Sequence, residues 1–180
     1  MQLKTGILNE SVKYKYGNYF EEAWAKNQEE KEEWYYQSKQ LKVYAALNDA
    51  SAFQVILKSD GDFVLTVSNS AVFMPQIDLQ IVRLAVDLEG EHGIVPEINI
   101  VGLVEDDDRI LKADPLLHEN TVVVKKNIGQ PVWIELKISE DYRSEMIKGS
   151  IKLFQHKTIS EYWRITPKVW QSWVKRLQRL

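Results

Sequence analysis

A mainly β fold, an antiparallel β-sandwich of the jelly-roll kind, is what this sequence predicts. Three observations predict it: apolar residues alternate with polar ones at period two through residues 41–157, turn residues separate these runs, and no helical period interrupts them. Three parts follow from the changes of pattern: an aromatic and helical N-terminal arm at 1–40, the sandwich at 41–157, and a C-terminal helix at 158–180, packed on the sandwich or free. A chain of 180 residues is long enough for one such core.

The arm is rich in charge and aromatics. Residues 21–36 hold strong helix formers without Pro or Gly, so a helix fits there, although Asn27 and Gln28 break the apolar stripe of Phe20, Ala23 and Trp24. An extended arm ending in Trp34, Tyr35 and Tyr36 is the rival reading. Period two then begins with Leu41, Val43, Ala45 and Leu47, and Asn48-Asp49 offers a turn. The run from Phe53 to Leu57 follows. Asp60-Gly61 predicts a tight hairpin, because glycine supplies the positive φ of a two-residue loop, and Phe63 to Val67 would then return along the preceding strand.

Further strands are expected over residues 80–88, 98–104, 122–124, 132–138 and 149–154, eight in all with no helix between them, which favours a sandwich or barrel over a parallel sheet. The clearest alternation sets Val132, Ile134, Leu136 and Ile138 against Trp133, Glu135, Lys137 and Ser139. Trp133 therefore faces outward, either as a packing element or as a platform for a sugar ring. At the C-terminus Thr166-Pro167 reads as an N-cap and first helical residue, followed by Trp170, Trp173, Val174 and Leu177 on one face. Lys168, Lys175, Arg176 and Arg179 lie on the other side of that amphipathic helix. Trp170, Trp173 and Arg176 are the candidate partner-binding residues, with packing on the chain's own domain as the alternative.

Composition excludes several classes. The net charge of −3 gives no reason to expect nucleic acid, and the chain has no cysteine for disulfides, thiolate metal sites or thiol nucleophiles. No apolar stretch approaches the roughly 20 residues needed to span a bilayer and the first residues carry no apolar leader, so a cytoplasmic chain without a membrane span is expected. His92, His118 and His156 lack metal-ligand spacing, and the acidic run Glu105 to Asp108 lacks the alternating ligands and glycine of a calcium loop. No metal and no cofactor is implied. Neither a nucleophile elbow, a P-loop nor a dinucleotide turn is present, and no catalytic residue is assigned.

Three places in the central region carry a resemblance. They are the segment from Ala45 to Leu57, with a short polar turn before an aromatic-Gln-aliphatic strand; the turn Asp114-Pro115-Leu116; and Pro131-Val132-Trp133 with its strand, loop and the following Gly149-Ser150-Ile151-Lys152-Leu153. In this order they resemble the N-terminal β-sandwich domain of a group of bacterial glycoside hydrolases. The characterised relatives of that group are β-N-acetylgalactosaminidases, and they place this sandwich ahead of a (β/α)8 barrel. Where the family has Gly-x-Tyr-x-Gly before its last strand, only Gly149 matches here.

The resemblance implies a module whose partners are a glycan or a catalytic barrel domain, and the barrel that bears the acidic pair has no counterpart in these residues. Three functions stay open: a noncatalytic accessory module that supports a barrel or contacts glycan, a protein-interaction module docking through its Trp-rich helix, and a self-sufficient hexosaminidase-like glycoside hydrolase with a carboxylate pair of its own. The first is the preferred expectation, in which the chain is not an enzyme by itself. Trp133, Tyr142 and Trp163 are then the candidates for sugar stacking, because an aromatic face covers the apolar CH groups of a pyranose.

Overall fold

The computed structural model describes residues 1–10, 13–14, 45–67, 79–89, 94–142 and 148–156. Among them are nine strands: β1 (Leu3–Asn9), β2 (Ala50–Ser59), β3 (Phe63–Thr66), β4 (Gln80–Leu88), β5 (Val95–Glu105), β6 (Leu111–Leu116), β7 (Thr121–Val124), β8 (Gln130–Lys137) and β9 (Gly149–His156). They form a five-stranded sheet in the order β1-β2-β8-β5-β6 and a four-stranded sheet in the order β7-β3-β4-β9. The fold is mainly β, as the period-two pattern predicts. The C-terminal helix and most of the N-terminal arm fall outside the described residues.

Alternation places one residue in two on the face that each sheet turns toward the other. From the five-stranded sheet come Phe53, Val55, Leu57, Val132 and Ile134, and from the four-stranded sheet Phe63, Leu65, Val82, Leu84 and Val124, all buried in one cluster. Fully burying an aliphatic side chain contributes about 1.5–3 kcal/mol. This shared core is the main attraction between the sheets.

Four expectations need correction. Leu3–Asn9 is a strand, pairing antiparallel with β2 from Leu3 opposite Ser59 to Asn9 opposite Phe53. Ala45 to Leu47 do not continue a strand, and the turn expected at Asn48-Asp49 falls at Leu47-Asn48, with Asn48 at φ 58°. β6 was absent from the expected set, and it pairs with β5 through a bulge between Val101 and Leu103. Lastly, Asp60-Gly61 makes no hairpin: β2 and β3 belong to different sheets, and β3 pairs parallel with β4 and antiparallel with β7.

The corner has a physical cause. The Asp60 carboxylate accepts the Gln2 N–H at 2.7 Å, the Asp62 carboxylate accepts the Lys126 N–H at 2.8 Å, and the Ser59 carbonyl accepts the Asn127 N–H at 2.7 Å. These acceptors are committed to β1 and to the β7–β8 turn. The Gly61 N–H meanwhile donates to Ser59 Oγ at 3.2 Å. The chain thus crosses from one sheet to the other where a hairpin would have kept it in the first.

Pro131 poses the opposite problem, because a proline in a central strand has no N–H for the ladder. The β5–β8 register runs from Val95 opposite Lys137 to Ile100 opposite Val132 and stops before Pro131. The buried Gln130 amide takes over there, donating to the Val101 carbonyl at 2.8 Å and to the Pro131 carbonyl at 2.9 Å. An unmet buried acceptor costs about 1–3 kcal/mol. Gln130→Leu is therefore expected to lower unfolding free energy by about that amount, measured by urea denaturation, and an unchanged midpoint would refute the role given to the amide.

A second, smaller core lies on the outer face of the five-stranded sheet and contains Leu8, Tyr14, Ile56, Val101 and Ala113, with Leu103 and Trp133 packed against it. Tyr14 is 1% exposed. Its carbonyl accepts the Ala113 N–H at 2.8 Å, which ties this segment to β6. Gly129 makes room for the ring: a Cβ there would stand 2.0 Å from the Tyr14 hydroxyl oxygen and 2.7 Å from its Cζ. Gly129→Ala should cost about 1–3 kcal/mol by overpacking, read from the same denaturation curves, and a Tyr14→Ala background should shrink that cost.

Candidate functional site

The outer face of the five-stranded sheet is where the chemistry-bearing side chains meet. Register places Gln54 opposite Trp133 across β2 and β8, and Asn99 opposite Trp133 across β5 and β8. An indole thus stands in a row between two carboxamides. The next row outward is Ala52, Glu135 and Glu97, and the one after it is Ala50, Lys137 and Val95.

Trp133 points outward, as alternation requires, and leans on the smaller core. It is half-buried, and its Nε1 is shut away from solvent without a hydrogen-bond acceptor among the described residues. A buried donor left unmet is costly, so the hydrocarbon contact of the ring must outweigh it. The indole is thereby fixed as a packing element along at least one edge.

Glu97 and Glu135 are directly opposite one another on antiparallel strands, which puts their Cβ atoms about 4.5–5.5 Å apart. That spacing invites comparison with a retaining glycosidase pair, whose carboxyl groups are about 5–5.5 Å apart. Lys137 bridges the two glutamates. Its Nζ lies 2.6 Å from Glu97 Oε2 and 3.3 Å from Glu135 Oε1, and Asn99 Nδ2 donates to Glu97 Oε1 at 3.3 Å. The hydrogen bonds from Lys137 and Asn99 hold the Glu97 carboxyl below the usual carboxylate range, and those to Glu97 and Glu135 hold the Lys137 ammonium above its own. A carboxyl kept ionised in this way is no general acid for a leaving group. The trio relieves the like-charge repulsion of two facing glutamates.

The acidic turn is likewise occupied by a protein cation. Lys112 Nζ lies 2.5 Å from Asp106 Oδ2 and 2.8 Å from Asp108 Oδ2, and hydrogen bonding to Lys112 is the leading cause of the lowered pKa of both aspartates. Among the described residues no group of three His, Cys, Asp or Glu side chains is placed to hold a metal ion. His118 is exposed, whereas His156 is 3% exposed at the end of β9, opposite Ile81. His92 lies outside the described residues.

Tyr142 lies nine residues after Trp133 in the chain. It follows β8 in a turn where its N–H donates to the Ser139 carbonyl at 3.2 Å, past Lys137 and the end of the strand. Trp163, Trp170, Trp173 and Arg176 fall outside the described residues. Gln54, Asn99, Glu97, Glu135 and Lys137 were missed by sequence reasoning, since only the register of β2, β8 and β5 makes them neighbours of Trp133. The outward positions of β8 named Glu135 and Lys137, but nothing in the sequence paired them with Glu97.

No family profile matches this chain, and no curated protein matches it in sequence. Among solved structures it is similar to a family 123 glycoside hydrolase from Clostridium perfringens, whose structural analysis addresses glycolipid glycan hydrolysis. The TM-score is 0.51 at 13% identity, over 87% of this chain and 25% of that chain. At this identity the likeness shows a shared fold. This chain spans a quarter of the length of that neighbour. Among the described residues no helix is long and apolar enough to cross a membrane.

The charged trio makes a pH-dependent contribution whose sign is fixed. Glu97 is depressed in the folded state, so its contribution is present above its unfolded pKa and fades as pH falls through the lower folded value, below roughly pH 4. Lys137 is raised, so its contribution is present below its unfolded pKa and is lost above roughly pH 10. Thermal unfolding of Lys137→Met should therefore show a small loss of Tm at pH 7 that narrows toward zero by about pH 3. A difference independent of pH would mean that Lys137 acts through its hydrocarbon stem.

Proposed function

We propose that this chain is a noncatalytic accessory sandwich of the kind found at the N-terminus of bacterial glycoside hydrolases related to β-N-acetylgalactosaminidases, and that it supports a catalytic barrel. The observation that carries the reading is the fold likeness to a family 123 enzyme, in which nearly all of this chain corresponds to a quarter of that protein. The ion-paired state of Glu97, Glu135 and Lys137 agrees with it, because these two facing carboxylates share one ammonium. In this reading Trp133 serves the sandwich as a packing residue, and a partner domain supplies the reacting groups.

A second reading, glycan contact by the same module, is favoured by Trp133 and Asn99 side by side on the outer face, since a carboxamide beside an aromatic suits an N-acetylated sugar. The two are separable in solution. Purified chain should release no chromophore from chromogenic N-acetyl-β-hexosaminides; turnover abolished by Glu97→Gln or Glu135→Gln would overturn the noncatalytic assignment. Titration calorimetry against N-acetylhexosamine oligosaccharides tests the second reading. Heat of binding that disappears in Asn99→Ala, with Tm unchanged, would establish glycan contact, and no heat across the panel would leave support of a barrel as the role.

A further inference from the structure

We draw no further inference here: the strongest candidate, the exposed apolar patch of Val104, Ile110 and Leu116 on the β5–β6 hairpin at the edge of the five-stranded sheet, carries nothing because nothing in the structure shows what covers it.

Discussion

The contact on which the rest of the molecule depends is the one that sets Val55, Leu57, Val132 and Ile134 of one sheet against Phe63, Leu65, Val82 and Leu84 of the other. A strand turns every second residue inward, so a slip of one residue in any pairing would send this whole set to the opposite face. Register, sheet membership and the outward position of Trp133 all follow from keeping these side chains inside. The ion pairs on the surface cannot substitute for it. An exposed pair contributes about 0–1 kcal/mol, and Lys13 with Asp114 or Lys152 with Asp87 is of that kind.

The smaller core behind the five-stranded sheet gives the fold its functional interest. Tyr14 reaches that face through the gap that Gly129 leaves, and together with Leu8, Ile56 and Val101 it makes an apolar floor beside which Trp133 lies. Outward from the indole the surface becomes polar within two rows, through Glu97, Glu135 and Lys137. Apolar support thus lies on one side of the indole and an ion-paired network on the other. The accessory role proposed for the chain draws on that contrast as well as on the fold likeness.

Much of the sandwich is legible in the sequence because burial of one face imposes alternation, and β8 displays it from Val132 to Leu136 without a break. The errors have separate physical origins. Asp60-Gly61 carries the local chemistry of a hairpin, but the acceptors around it are engaged by Gln2, Lys126 and Asn127, residues remote in sequence. β6 hides because Pro115 ends the short alternation of Leu111, Lys112, Ala113 and Asp114 and makes Asp114-Pro115-Leu116 read as a turn, which the structure instead places in the strand; it is an edge strand, where a proline is tolerated. Gly102 leaves room for Pro115 and Leu117 against β5: a Cβ there would come within 3.0 Å of the Pro115 ring and 2.9 Å of Leu117. β1 was overlooked because Gly6 and the adjacent Ile7 and Leu8 break its alternation. The candidate site was less legible than the fold, since a row across three strands exists only once their register is known.

Backbone nuclear Overhauser effects across the strands test the central claim most directly. Two stacked sheets require cross-strand backbone effects from Leu57 to Thr5 and Gln130, and from Val64 to Ile81 and Val123. Backbone effects that instead pair Leu57 with Val64 across the Asp60-Gly61 turn would put β2 and β3 in one hairpin and contradict the account.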